Sequence, residues 1–249
     1  MKLTIIGSGT CVPTVKRGSP ANYLQIGKKK ILVDCGPGTV RQIVNAKIDY
    51  RTIDMVFLTH FHNDHVSDLV ALIWALFCTP GFNRKNDLIL IGPVGLKQFF
   101  EDSINLNKDG EQWSKNKKIK IKEIKNKIKF EEFSVECNKT IHTKSSIAYK
   151  FIEKDRSLVF SGDCDYDDKF INFSKDANVL LLECSYPNSL KKKGHLIPKE
   201  CGLIAQKANV RKLILNHIYN YSSGKIRVDQ TKKFFRNTVL AEDFMKINI

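Results

Sequence analysis

The chain opens on alternating and apolar positions. Leu3 and Ile5, then Tyr23, Leu24, Ile26, Ile31, Leu32 and Val33, predict early strands over residues 2–7 and 22–34, with Gly-rich breaks between them. Asp34-Cys35-Gly36-Pro37-Gly38 turns the chain, and Thr39 to Ala46 reads as a helix. Asp54-Met55-Val56-Phe57-Leu58 is a short apolar run of the buried-strand type. A helix is expected from Asp64 or Val66 to Cys78, stopped by Thr79-Pro80-Gly81. Leu88 to Ile91 reads as a buried strand and Leu96 to Ser103 as a short helix. Ile147 to Ile152, Leu158 to Phe160, Val179 to Leu182 and Leu213 to Leu215 read as further strands, and Pro198 to Ala208 as a helix. Strands and helices alternate in two rounds, and polar groups follow the strand ends. That order predicts an α/β fold of two stacked halves around one site. With no internal linker or low-complexity block, residues 1–249 form one expected domain.

Residues 115–129 hold eight lysines and one acid. Ile119, Ile121, Ile128, Phe130 and Phe133 alternate with polar residues there, which is the period of half-buried strands with a lysine face in water. Edge strands carry lysine to block aggregation; the alternative is a surface that contacts phosphate. The whole chain has 41 Lys and Arg against 26 Asp and Glu, a net charge of +15. Such an excess favours polyanionic partners. An abundance of Lys, Asn and Ile together also reads as plain composition bias. The insert from Asn105 to Lys118, with Trp113 among polar residues, is a candidate cover for a substrate.

The seven cysteines are widely spaced, with no Cys-x-x-Cys, which argues against a disulfide framework and a thiolate zinc cluster. The longest apolar run, Leu69 to Cys78, has ten residues and is too short to span a bilayer. The amino terminus reads as a first strand with no signal peptide, so no membrane partner and a cytoplasmic location are expected.

Six histidines are present, and His60, His62 and His65 fall within six residues, with Asp64 between. His60 and His62, two apart in a loop leaving a strand, can reach one ion. Asp64 and His65, displaced along the turn, can face a second. Imidazole and carboxylate suit zinc, and also manganese or iron. Two divalent ions about 3.5–4 Å apart can hold one bridging hydroxide.

Thr59-His60-Phe61-His62-Asn63-Asp64-His65 resembles the signature of the metallo-β-lactamase fold. Leu32-Val33-Asp34-Cys35-Gly36, His142, Ser161-Gly162-Asp163 and Leu215-Asn216-His217 follow in that family's order, so the resemblance covers nearly the whole chain. It implies a four-layer αββα sandwich with a dinuclear site at one edge. By the same resemblance His60, His62 and His142 hold one metal, Asp64, His65 and His217 the other, and Asp163 bridges. Taken singly, His142 reads as well as a strand residue in solvent, Asp163 as a turn former and His217 as a core residue.

Leu182-Glu183-Cys184-Ser185 and Gly194-His195-Leu196 are similar to the ribonuclease Z group, where a Glu orients a His that protonates the leaving oxygen. Gly7-Ser8-Gly9-Thr10-Cys11-Val12-Pro13 and Arg17 resemble that group's opening. The resemblance implies a metal-dependent phosphodiesterase acting on RNA or a cyclic phosphate ester, with Asp64, His195 and Glu183 as catalytic residues, and a homodimer. Two departures count against tRNA 3′-end processing. Only twenty residues separate His142 from Asp163, too few for the group's tRNA-binding arm, and Asn216-His217-Ile218-Tyr219 replaces a Thr-His-x-Ser pattern. The alternatives are a tRNA 3′ endonuclease proper and an acyl ester, thioester or lactone hydrolase on the same metals. A nucleic-acid-binding module would require lost ligands, and none is lost.

Overall fold

The computed structural model describes residues 1–105, 118–221 and 223–249. The body of the expected substrate cover, Trp113 included, lies outside the described residues. One seven-stranded sheet has the order β14-β1-β2-β3-β4-β5-β6: β1 (Lys2–Gly7), β2 (Ala21–Ile26), β3 (Lys29–Val33), β4 (Met55–Phe57), β5 (Leu88–Gly92), β6 (Ile119–Glu123) and β14 (Lys246–Asn248). The other has the order β13-β12-β11-β10-β9-β8-β7: β7 (Lys127–Lys129), β8 (Ser134–Lys139), β9 (Ile147–Glu153), β10 (Arg156–Phe160), β11 (Val179–Glu183), β12 (Lys212–Asn216) and β13 (Thr238–Leu240). Each sheet repeats one plan. Strands β1 to β3 and β7 to β10 pair antiparallel, while β3 to β6 and β10 to β13 run parallel. The two rounds read from the sequence are these two sheets.

The apolar runs are continuous because both faces of the central strands are covered. Ile31, Val33, Met55 and Phe57 point between the sheets and meet Tyr149, Phe151, Leu158, Phe160 and Leu181. Leu32, Val56 and Leu58 point outward onto helices α1 (Thr39–Asn45), α3 (Leu69–Cys78) and α4 (Leu96–Asn105). On the far side Val159, Leu180, Leu182 and Leu213 pack against α5 (Asp168–Phe173) and α6 (Pro198–Lys207). The result is the αββα sandwich.

The lysine-rich segment supplies the outermost strands, β6 of one sheet and β7 of the other. Lys120, Lys122, Lys127 and Lys129 face solvent there, and Lys120 and Lys127 pair with Asp87 at 2.5 Å and Glu136 at 2.7 Å. The single helix expected up to Cys78 is two: α2 (Asn63–Val66) and α3. Asp68 breaks it because its backbone N–H goes to the Cys35 carbonyl and its carboxylate accepts from the Val40 N–H. The first turn is thereby tied to the β3 loop rather than to α3, and that aims Asp64 and His65 inward. Between His142 and Asp163 the chain forms only β9, β10 and a turn at Lys154-Asp155.

Candidate metal centre

The ends of β3, β4, β10, β11 and β12 lie along one edge, where α/β sheets place their ligands. Asp34 follows β3, Thr59 and His60 follow β4, Asp163 follows β10, Glu183 ends β11 and His217 follows β12. Asp34 and His217 both adopt left-handed backbone, φ 62° and 56°, a conformation polar residues at sites tolerate and β-branched ones do not. Gly36 is required for a different reason. A Cβ there would lie 1.9 Å from the backbone oxygen of Asp64, so the β3 loop and the histidine motif touch main chain to main chain.

Four imidazoles are oriented in one way. His65 Nδ1 lies 2.8 Å from Asp34 Oδ2, and His142 Nδ1 lies 2.9 Å from the Gly194 carbonyl. His60 Nδ1 lies 3.1 Å from Thr59 Oγ1, and His217 Nδ1 lies 2.9 Å from Ser185 Oγ. Those two hydroxyls already donate their protons, Thr59 to Asp34 at 3.0 Å and Ser185 to Glu183 at 2.6 Å. Each can therefore only accept from its histidine. In all four rings Nδ1 points outward to its partner and Nε2 points inward, the usual arrangement behind a metal ligand. His62 differs: its Nδ1 lies 3.0 Å from His142 Nε2.

The inward atoms converge on Asp163. Its Oδ2 faces His142 Nε2 at 3.5 Å and His60 Nε2 at 3.9 Å. Its Oδ1 faces His65 Nε2 and His217 Nε2, each at 3.3 Å. Asp64 Oδ2 completes the second group, 3.4 Å from His217 Nε2 and 3.7 Å from His65 Nε2. The donor atoms of His60, His62, His142 and Asp163 lie within 4.8 Å of one another, as do those of Asp64, His65 and His217. The structure thus brings together every residue in the expected ligand set and divides it into two groups on either side of one carboxylate.

His60 Nε2, His65 Nε2 and Asp163 Oδ1 are buried without a hydrogen-bond partner. Unpaired buried polar atoms are costly, and three converging on one point fit a shared cation. Burial, seconded by the neighbouring His65, pushes the His60 pKa well down, so the ring offers a lone pair. Burial acts to raise the Asp163 pKa, but His217, His65 and His60 outweigh it and hold the carboxylate well below its ordinary range. Burial acts to lower the His65 pKa, but Asp163 and Asp34 in turn outweigh it and hold the ring well above the ordinary imidazole value. An ionised carboxylate among imidazoles is a donor set for a divalent cation, which would take the place of the ring protons.

His195 stands beside this set. Its Nδ1 lies 3.0 Å from Glu183 Oε1 and 4.0 Å from Asp163 Oδ2. The buried Glu183 carboxylate also accepts from Cys164 N–H at 2.8 Å, Leu196 N–H at 3.1 Å and Ser185 Oγ. Burial acts to lower the His195 pKa, but Glu183 more than compensates and holds it above the ordinary imidazole value. The lysines before His195 do not carry it into solvent. Lys191 bonds Asp165, Glu200 and the His195 carbonyl, and Asp165 accepts from Gly194 N–H at 2.8 Å, which folds the loop inward. His195 also lies within ligand distance of Asp163 and His217.

Sequence reading missed the supporting residues Asp34, Thr59 and Ser185 as parts of the site. Their signal was present: Asp34 and Thr59 directly follow apolar strand runs, and Ser185 lies two residues past the end of another. All seven cysteines are free. Among the described residues no helix is long and apolar enough to cross a membrane.

Comparison with known proteins agrees with this geometry. The chain is 28% identical to a ribonuclease Z from Archaeoglobus fulgidus over 313 aligned positions, covering all of this chain and 97% of that protein. Its fold superposes on the metallo-β-lactamase fold protein YhfI from Bacillus subtilis with TM-score 0.86 and 23% identity, over 99% of this chain and 98% of that one. The human short-form tRNase Z superposes with TM-score 0.82 and 24% identity, over 100% and 99% of the two chains. The fold is that of the metallo-β-lactamase sandwich, and the chain is similar to ribonuclease Z proteins over its whole length. A family model described as Anti-Pycsar protein Apyc1 matches residues 1–239, and the chain belongs to that family.

Proposed function

We propose that the protein is a single-domain phosphodiesterase that cleaves a small or cyclic phosphodiester with two divalent ions. His60, His62, His142 and Asp163 would hold one ion, and Asp64, His65, His217 and the other oxygen of Asp163 the second. Such ions supply Lewis acidity toward a phosphoryl oxygen and a nucleophile at neutral pH. Zinc suits the nitrogen-rich donor set, and manganese or iron would also be accepted.

The chain's own groups do the rest. Asp64, held against His65 and His217, orients the attacking water. Glu183 fixes His195 through Nδ1, which leaves Nε2 free to carry a proton to the departing alkoxide. The observation that carries the reading is this His195–Glu183 pair beside the donor set. The pair counts against a thioester hydrolase, because a thiolate leaves without a proton; an acyl ester or lactone releases an alkoxide, as a phosphodiester does, and assay of a phosphate-free ester separates that reading.

Two features bear on substrate size. The alignment with the A. fulgidus protein runs over 313 positions against 249 residues here, so that relative carries segments this chain lacks. The β9–β10 turn leaves no arm for a tRNA elbow between His142 and Asp163. The names of the ribonuclease Z relatives and the net charge support a second reading, an arm-less tRNA 3′ endonuclease.

The deciding experiment incubates protein loaded with zinc or manganese with cyclic nucleotides and with a 3′-extended tRNA precursor, with Asp64→Ala as control. Hydrolysis of the cyclic ester alone supports the first reading. A single cut past the acceptor stem supports the second, and no hydrolysis of either by a protein holding two metals removes both. A homodimer in the cytoplasm is the expected state by resemblance to the same group, and light scattering checks the dimer.

A further inference from the structure

Three tyrosine rings stand against the reaction centre on the side of His195. The Tyr186 ring lies 5.6 Å from that of His195, and the Tyr219 ring 6.1 Å from that of His217. Tyr186 and Tyr219 stack on each other at 5.0 Å and 22°. Tyr221 leans on both, at 5.6 Å and 32° from Tyr186 and 6.0 Å and 43° from Tyr219. The inner two rings are half-buried, whereas Tyr221 is 59% exposed, and its hydroxyl has no partner among the described residues.

The two loops that carry these rings are locked together. Arg227 is fully buried and donates from Nη1 to the Cys184 carbonyl at 2.6 Å and from Nη2 to the Tyr219 carbonyl at 2.7 Å. Tyr219 Oη meets Cys11 Sγ at 3.2 Å. The inner rings are therefore placed in advance, and the outer ring keeps a face open beside the atoms that react. A cluster built only for packing would bury its outermost ring. It would also be served equally well by aliphatic side chains.

Taking phosphodiester hydrolysis as the reaction, we propose that Tyr186, Tyr219 and Tyr221 form a shelf that stacks a planar unsaturated ring of the substrate, a nucleobase. The base belongs to the nucleoside whose oxygen leaves, because the shelf begins at His195, the group that protonates it. Rigid aromatic rings offer a π face to any base at little entropic cost, so the shelf selects nucleosides over base-free esters without selecting strongly among bases.

The test compares two esters with the same reacting atoms: adenosine 3′,5′-cyclic phosphate and methyl β-riboside 3′,5′-cyclic phosphate, which lacks the base. With metal-loaded full-length protein, Tyr221→Leu is expected to raise KM for the nucleotide about tenfold, with kcat and the base-free ester unaffected. Tyr221→Phe and Tyr221→Trp should restore the wild-type KM. Calorimetry provides an independent readout: adenosine 5′-monophosphate should bind about tenfold tighter than ribose 5-phosphate, and Tyr221→Leu should erase the difference. Equal binding of the two monophosphates, or equal loss on both esters in Tyr221→Leu, would overturn the shelf. If the wild type cleaves no phosphodiester yet shows the tyrosine-dependent binding difference, the reaction assigned above fails and the shelf stands.

Discussion

At the scale of single residues, the proposed site separates groups assigned to metal from a group assigned to proton transfer. His195 is anchored by Glu183 and, although within ligand distance of Asp163 and His217, is assigned to neither metal, so its loss should affect turnover and not metal content. His195→Ala is expected to lower kcat by about 10²–10⁴ with two metals still bound, as checked by steady-state kinetics and elemental analysis. Equal turnover in that variant would remove His195 from the reaction. Asp34 makes the opposite case. It touches no inward-facing atom, but it takes the Nδ1–H of His65 at 2.8 Å and is held by two bonds from Thr59 at 2.8 and 3.0 Å. Asp34→Ala frees the His65 ring to rotate and should weaken metal affinity about 10–100-fold, read by competition with a chelator. Full affinity in the variant would mean that packing alone orients the ring. The candidate ligands were legible in the sequence because the motif places three histidines and an aspartate within six residues. Asp34 was not, since a turn aspartate after a strand looks the same whether or not it carries a histidine.

At the scale of elements, what the sequence showed and what it hid follow from burial. Strands covered on both faces read as unbroken apolar runs, and β4, β5, β10, β11 and β12 were all found by that signal. The short elements β8, β13, β14, α5 and α7 (Gly224–Lys232) escaped notice. β8 mixes Glu136, Asn138 and Lys139 with only one fully buried residue, Val135, and so has no clear period. α7 likewise shows no strong apolar face, with only Arg227 and Thr231 buried. The break between α2 and α3 was invisible because its cause is tertiary: Asp68 bonds residues of the β3 loop and α1. The contact of Gly36 with Asp64 is of the same kind. Gly36→Ala must push the two loops apart, so it should lower both metal affinity and thermal stability, whereas Gly38→Ala, with open space around its Cβ position but φ 82°, should cost stability alone and spare metal affinity. Arg227 ties the ends of β11 and β12 through two carbonyls. Arg227→Met leaves both acceptors buried without a donor and should cost about 3 kcal/mol, roughly 6–12 °C of Tm for a chain of this size. Calorimetry in the presence of metal would measure it.

At the scale of the whole molecule, the open question is what the charge of +15 does. Part of it sits on β6 and β7, the outermost strands, where lysine keeps exposed edges from pairing with other chains. Another part is nearer the site. Lys125, Lys139 and Lys144 surround a cavity of about 520 Å³ with an apolar floor that includes Ile124 and Ile147. Ile147 N–H bonds the carbonyl of Thr59 at 3.0 Å, and Lys144 lies two residues past His142, so this cavity borders the histidine motif. None of the three ammonium groups has an ion-pair partner among the described residues. Such a cavity could grip the backbone of a longer nucleic acid, and salt dependence separates that role from simple solubility. A protein that tracks RNA through 6–10 phosphates loses about 10³–10⁵ in affinity between 50 and 200 mM salt. A small diester presents one charge, and by the same slope it should lose only about threefold. For the proposed small substrate, kcat/KM should follow the shallow slope, and the Lys139→Glu, Lys144→Glu double variant should stay within about twofold of wild type. A steep slope on precursor tRNA that flattens in the double variant would instead make the lysine-lined cavity part of an RNA-binding track, and the charge would then belong to function rather than to composition.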